Sequence, residues 1–99
     1  MDDREFDRLA SATLDRLAER LEEGLDDADV ELREGVLTVE LAGGAQYVFN
    51  RHAPNRELWM SSPISGAHHF APAGGGWRST RGEATLAGLV ADELGIALD

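Results

Sequence analysis

Hydrophobic residues change their spacing twice along this chain, and the changes limit the fold to a helix, a sheet and a second helix. From about residue 3 to residue 23, apolar side chains recur every three or four residues, as on one face of a helix, and Gly24 is a natural end for it. From Asp29 onward apolar and polar residues alternate, which is typical of strands. Helical spacing returns after Gly82 and ends near Gly95.

The alternating stretch predicts six short strands separated by turn residues, at about residues 29–33, 36–41, 45–51, 57–62, 68–71 and 77–80. Strands joined by short turns form an antiparallel meander, and two helices must cover the same face to close one core. We therefore predict an α+β fold, a two-layer sandwich with the N- and C-terminal helices packed on one face of an antiparallel sheet of about six strands. The 99 residues are expected to form a single domain, residues 1–99.

Acidic residues are concentrated where the first helix meets the first strand. Residues 1–34 contain 13 acids and 5 arginines, whereas residues 35–99 contain 6 acids and 4 arginines. A general adaptation of the organism, the simplest source of acidity, would have spread the charge more evenly. The formal net charge of −10 also argues against nucleic-acid binding, which requires clustered cations.

Several function classes lack their chemistry in this sequence. The chain contains no cysteine, so it has no disulfide, thiolate nucleophile or cysteine-ligated cluster of its own. The glycine run at residues 74–76 lies between strands rather than before a helix, unlike a phosphate-binding loop. The N-terminus is acidic and no apolar stretch approaches about 18 residues, so we expect a cytoplasmic protein without membrane binding.

The charged junction predicts an array of carboxylates, here called the acidic ridge. Its members are Glu19, Glu22, Glu23, Asp26, Asp27, Asp29 and Glu31. On a helix, residues 19, 22, 23 and 26 share one face, and on a strand residues 29 and 31 point to the same side. Such close like charges repel, so bound cations would stabilise the array. Oxygen ligands favour hard cations and select poorly among magnesium, calcium, manganese and iron.

Three interpretations of the acidic ridge stay open on the residues alone: a solvated face, a weak cation site, and a surface for a basic protein partner. Asp3 and Asp7, one helical turn apart, form a second candidate cation site, although the helix dipole also explains acids there. His68 and His69 are neighbours on a predicted strand, so they face opposite sides and cannot both ligate one ion.

Trp59 lies in the middle of the predicted fourth strand. A tryptophan there is more often buried in the core, but a large aromatic residue on an uncovered sheet face is typical of a binding anchor. On the residues alone both positions stay open for Trp59, and Trp77 is a candidate core residue.

Several segments of the chain together resemble the frataxin family. They are Val36-Leu37-Thr38-Val39, Tyr47-Val48-Phe49-Asn50-Arg51, Pro54-Asn55-Arg56-Glu57-Leu58-Trp59-Met60-Ser61-Ser62-Pro63, Ser65-Gly66, Trp77 and Leu86. The resemblance covers nearly the whole chain, and the length is similar to that of the bacterial members. It implies an alpha-beta sandwich, binding of iron as Fe2+ or Fe3+ by the acidic ridge, and contact with the cysteine desulfurase and the scaffold protein of iron–sulfur cluster assembly.

The resemblance also implies a partner-binding surface made by Asn50, His52, Glu57, Trp59 and His69. Trp59 would be exposed and, together with Asn50, would contact the scaffold protein. His69 takes the place of a basic, partner-contacting residue. His52 takes the place of a polar residue. Glu57 and His52 stand where the family commonly carries neutral glutamine, so the contact chemistry of this chain would differ there.

The sequence therefore predicts an iron-binding protein that regulates iron–sulfur cluster assembly or supplies iron to it, acting by binding and not by its own catalysis. The alternatives are a ferroxidase or iron-storage activity on the acidic ridge, and an acidic interaction module without a metal role. The chain lacks the Glu-x-x-His pattern of an efficient di-iron centre. We expect a monomer, with iron-induced oligomers as an alternative.

Overall fold

The computed structural model describes residues 1–98, in which two helices pack on a six-stranded antiparallel sheet. The elements are α1 (Asp3–Gly24), β1 (Asp29–Arg33), β2 (Val36–Glu40), β3 (Gln46–His52), a short 3-10 helix (Ala53–Asn55), β4 (Glu57–Ser62), β5 (Gly66–Ala73), β6 (Gly76–Ser79) and α2 (Leu86–Leu94). Each strand pairs with the next along the chain, from β1 at one edge to β6 at the other. The predicted two-layer sandwich is confirmed. None of the described helices is long and apolar enough to cross a membrane.

The ends of α1 are set by two different local interactions. At the start, the side chain of Asp2 accepts a hydrogen bond from the backbone N–H of Glu5 at 2.8 Å, which caps the helix. At the other end, Gly24 is the last helical residue, and the chain leaves the helix at Leu25 in an extended conformation. A Cβ atom at position 24 would overlap Cδ1 of Ile96, so a larger residue here would displace the end of that side chain.

Helix α2 ends at Gly95, as predicted, and begins at Leu86. The Thr85 side chain accepts a hydrogen bond from the backbone N–H of Gly88 at 3.0 Å and caps the start. Gly95 ends the helix in the left-handed conformation, with φ of 70°, which glycine adopts without strain. Leu86 and Val90 are buried, so this short helix is held mainly by its apolar face.

The core lies between the helices and one face of the sheet. Helix α1 contributes Phe6, Ala10, Leu14, Leu17 and Leu21. The strands contribute Leu37, Val39, Tyr47, Phe49, Leu58, Met60, Phe70 and Trp77. Trp77 is only 8% exposed, as predicted for a core residue, and its indole Nε1 donates a hydrogen bond to Thr13 Oγ1 at 2.8 Å.

Residues that alternate with the buried ones point to the opposite side of the sheet, here called the open face. At its centre the strand register places Asn50 of β3 opposite Trp59 of β4, and Trp59 opposite His69 of β5. The register therefore assembles side chains from three strands on this face.

Candidate functional site

The acidic ridge follows the end of α1, the turn after it and the edge strand β1, and all seven of its residues are exposed. In β1, Val30 and Leu32 pair with the buried Val39 and Leu37, and both pack against the core. Asp29 and Glu31 therefore point to the open face, on the same side of the strand, as the alternation predicted. The ridge thus reaches from the helical layer around the β1 edge to the open face.

The placement of Asp26 on the helical face is wrong. Because the backbone at Leu25 is already extended, with φ of −107° and ψ of 128°, Asp26 lies in the turn that follows α1. Asp27 completes this turn with a positive φ of 59°, a conformation that aspartate tolerates better than most residues. Only Glu19, Glu22 and Glu23 of the ridge belong to the helix.

Glu40 is an exposed carboxylate that the sequence analysis missed. It lies directly opposite Asp29 in the pairing of β1 with β2, so it adds a negative charge beside the ridge. A two-residue turn at Glu34 and Gly35 fixes this register, because each residue of one strand then pairs with its mirror position across the turn. The predicted strands at residues 29–33 and 36–41 leave these two residues as the turn, and pairing the strands across it would have placed Glu40 opposite Asp29.

The ridge does not form a ready-made chelate. Within residues 1–98, no group of three or more histidine, aspartate or glutamate side chains is arranged to hold a metal ion. Glu31 forms an ion pair with Arg33 at 3.1 Å, and both side chains are largely exposed. The exposed oxygen donors suit a hydrated, hard cation that keeps most of its water ligands, rather than an enclosed ion.

Asp3 and Asp7, the predicted second cation site, each have an arginine partner. Arg56 donates to Asp3 Oδ1 through both Nε, at 3.0 Å, and a terminal nitrogen, at 2.8 Å. Arg51 donates to Asp7 Oδ1. These contacts tie the start of α1 to the end of β3, through Arg51, and to the connection between β3 and β4, through Arg56. The arginines lower the negative potential that a metal ion would meet there, so this site has less support than the ridge.

Trp59 lies on the open face, but it is half-buried rather than freely exposed. Its indole is stacked between two imidazole rings: His52 lies 3.7 Å away at an interplanar angle of 11°, and His69 lies 4.2 Å away at 9°. The indole Nε1 donates to Glu57 Oε1 at 2.8 Å, and His69 Nδ1 lies 3.9 Å from the same oxygen. These four residues, here called the Trp59 stack, belong to the predicted partner-binding surface, and Asn50 lies opposite Trp59 in the register.

His68 and His69 face opposite sides of β5, as predicted. His69 joins the Trp59 stack, whereas His68 Nε2 lies 2.8 Å from Ser65 Oγ on the helical side, next to Glu93 of α2.

Glu93 accepts hydrogen bonds from three hydroxyl groups, a cluster that the sequence analysis missed. Tyr47 donates at 2.8 Å, Ser62 at 2.6 Å and Ser65 at 2.5 Å. Burial alone would raise the pKa of Glu93, but these hydrogen bonds and the nearby His68 outweigh it and lower that pKa. Burial, and then the contact with Glu93, raise the pKa of Tyr47. The cluster fastens α2 to β3 and to the end of β4.

Comparison with known proteins gives a consistent result over the whole chain. The model of the frataxin-like domain matches residues 1–99. The iron–sulfur cluster assembly protein CyaY of Neisseria meningitidis serogroup B is 40% identical over 81 residues, which cover 82% of this chain and 75% of that protein. A mitochondrial frataxin homolog of Schizosaccharomyces pombe is 36% identical over 99 residues, covering 93% of this chain and 63% of that protein.

Solved structures show the same fold. Frataxin from Psychromonas ingrahamii superposes with a TM-score of 0.81 at 24% identity, and the match covers 100% of this chain and 97% of that one. Trimeric frataxin from Saccharomyces cerevisiae, solved in complex with ferrous iron, superposes with a TM-score of 0.79 at 36% identity, covering 88% of this chain and 82% of that one.

Proposed function

The chain belongs to the family of frataxin-like domains, and from that membership we propose that it is an iron-binding protein of iron–sulfur cluster assembly. It regulates this assembly or supplies iron to it, in the cytoplasm, by binding the cysteine desulfurase and the scaffold protein. The relatives support the pathway, since the Neisseria protein is named for it and the yeast frataxin was crystallised with ferrous iron.

The observation that carries the iron proposal is the exposure of all seven ridge carboxylates on adjoining elements. Two unit charges about 6 Å apart in water repel by roughly 0.7 kcal/mol, so the folded state loses stability by holding several such pairs. A divalent cation relieves this repulsion and is attracted by every member of the ridge. Iron is here the cargo: it is held through exposed oxygen ligands, and it can be passed on because nothing encloses it.

The Trp59 stack supports the proposal for the scaffold protein. Interface residues that carry most binding energy are often tryptophans that are rigid before the partner arrives. Two imidazoles and a hydrogen bond to Glu57 already fix the orientation of this indole. The ridge, in contrast, is a charged surface suited to long-range attraction of a basic patch on the desulfurase.

Titration with Fe2+ under anaerobic conditions, followed by NMR of the backbone amides, tests the iron site. Two triple variants have the same change in charge. One neutralises the ridge with Glu22→Gln, Asp26→Asn and Asp29→Asn, and the control neutralises exposed acids elsewhere with Glu5→Gln, Glu83→Gln and Asp92→Asn. The ridge variant should bind Fe2+ at least about tenfold more weakly, because each charge contributes roughly 1 kcal/mol to the attraction of a divalent ion at such distances.

The control variant should keep its affinity within about twofold. If both variants lost the same affinity for Fe2+, the binding would reflect overall charge and not the ridge. If the Fe2+-induced NMR shifts were centred on His68 and His69 and absent from the ridge, the carboxylate site would be wrong. Oxygen consumption after Fe2+ addition, compared with a protein-free blank, distinguishes this binding function from a ferroxidase. Uptake well above the blank would favour the enzyme.

Calorimetry with purified desulfurase and scaffold protein at two salt concentrations tests the partners. Neutralising the ridge should weaken the salt dependence of desulfurase binding. Loss of Trp59 should weaken scaffold binding by roughly 2 kcal/mol with little dependence on salt. Unchanged binding in either variant would remove that surface from the mechanism.

A further inference from the structure

A cleft of about 270 Å³ opens beside β5 at the point where β6 ends. The last register pair of these strands is Phe70 with Ser79, so the first residues of β5 extend beyond β6. The cleft is lined by Ala67, His68, His69, Ser79 and Arg81. Three of these five side chains can carry positive charge, in a chain whose formal net charge is −10.

Arg81 supplies the permanent charge of the cleft. Its side chain is exposed, and no ion pair involves it within residues 1–98, whereas Arg33, Arg51 and Arg56 each pair with a carboxylate. Its backbone N–H donates to Ser79 Oγ at 3.1 Å. Because this contact uses the hydroxyl oxygen as an acceptor, the hydroxyl hydrogen of Ser79 remains to be donated to a ligand.

The hydrogen bonds of Ser65 determine which nitrogen of His68 carries hydrogen. Ser65 Oγ has one hydrogen and donates it to Glu93 Oε2, so its 2.8 Å contact with His68 Nε2 requires that this nitrogen be the donor. Protonation of His68 then adds a second N–H at Nδ1. His69 presents its imidazole from the other side of the same strand, stacked on Trp59.

We propose that this cleft binds a small, multiply charged oxyanion, a phosphate or a polycarboxylate. Arg81 is its main ligand, because a guanidinium presents several donors that match the oxygens of such anions. Ser79 donates a neutral hydrogen bond, and the two imidazoles add charge when protonated. Glu57, beside His69, and Glu93, behind Ser65, oppose the anion, as does the net charge of the chain, so the affinity is modest and depends on Arg81.

Occupation of the cleft would affect the Trp59 stack, since His69 belongs to both. An oxyanion beside His69 favours the protonated imidazole, which is attracted to the face of the indole. The cleft therefore connects a small-molecule anion to the proposed partner-binding surface, and it is separate from the acidic ridge.

NMR titrations with sodium phosphate and with sodium citrate, at about pH 6 and at constant ionic strength kept with sodium chloride, test the proposal. Saturable shifts should appear for His68, His69 and Arg81 and be absent with chloride alone. The Arg81→Gln variant should lose at least about tenfold in affinity. The matched control is Arg78→Gln, an exposed arginine of β6 that does not line the cleft and makes the same change in charge.

The two anions distinguish the class of ligand. Tighter binding of citrate indicates that the cleft takes a polycarboxylate, and tighter binding of phosphate indicates that it takes a phosphate. Absence of saturable shifts with both anions would overturn the site. Equal losses in the Arg81 and Arg78 variants would also overturn it, since binding would then reflect overall charge. The ridge-neutralised variant should bind the anion at least as well as the parent, so failure here is independent of the iron proposal.

Discussion

Replacing Trp59 with alanine should destabilise the fold, because the indole is stacked on both faces. Each stacked aromatic pair contributes roughly 0.5–1.5 kcal/mol beyond the burial of area, and the hydrogen bond to Glu57 contributes about 1 kcal/mol. The free energy of unfolding should therefore fall by about 2–4 kcal/mol. For a chain of this size, the melting temperature should drop by roughly 10–20 °C.

Denaturant unfolding followed by circular dichroism measures this loss directly. Ser61→Ala is the matched control, since Ser61 is an exposed residue of the same strand on the same face. A double-mutant cycle of Trp59→Ala with His69→Ala should give a coupling of about 0.5–1.5 kcal/mol for the second stacked pair. The same cycle with His52→Ala gives the coupling energy for the stack of His52 on Trp59.

A loss for Trp59→Ala below about 0.5 kcal/mol, no larger than that of the Ser61 control, would refute the reasoning. The rings would then not be stacked in solution, and Trp59 would be the freely exposed anchor that the family resemblance implies. Scaffold binding must be measured below the melting temperature of the variant, so that loss of the anchor is separated from loss of the fold.

Three further predictions concern stability. Neutralising three ridge carboxylates with their amides should raise the melting temperature and remove part of the stabilisation by added Mg2+, as thermal scans at low salt will show; a lower value would mean that the acids support the fold. The pKa of Glu93 lies below its ordinary value of 4.5. The stability that the ionised carboxylate contributes is therefore fully present above pH 4.5, and it is lost as the pH falls through the folded-state pKa. Glu93→Gln should therefore flatten the acid side of a stability–pH curve and cost about 1–2 kcal/mol near neutrality, whereas an unchanged curve would contradict the role of the cluster. Gly95→Ala should destabilise the protein by about 1 kcal/mol, because φ of 70° strains a residue that has a side chain, while Gly43→Ala, which has open space around it, should not; equal melting temperatures would contradict the left-handed end of α2.

Most of the fold could be predicted because the spacing of apolar residues reports which side chains are buried. The prediction was weakest for β5, which extends over Gly66–Ala73 instead of residues 68–71. Its additional residues are small or proline, so they carry no apolar alternation. They belong to the strand because Gly66 and Ala67 pair with Ser62 and Ser61 of β4, a contact that local sequence does not encode.

The residues of the Trp59 stack were named from the sequence, but their arrangement was not. His52, Trp59 and His69 are separated by 7 and 10 positions, and only the register of β3, β4 and β5 brings their rings together. The Glu93 cluster joins α2 to distant strands, so it depends on how the helix docks. Asp26 was misplaced because its spacing of seven residues from Glu19 continues the helical pattern of the ridge, whereas the backbone is already extended at Leu25.

Strand β1 is an edge of the sheet, and its outer side pairs with no other strand within residues 1–98. An unpaired edge can add a strand from another molecule, and charged side chains along it oppose this by repelling an identical edge. Asp29 and Glu31, with Glu40 on the neighbouring strand, therefore protect the protein against growth into aggregates. Loading with cations, high salt or acid each removes that repulsion, so this chain should join edge to edge under the same conditions that fill or neutralise its carboxylates.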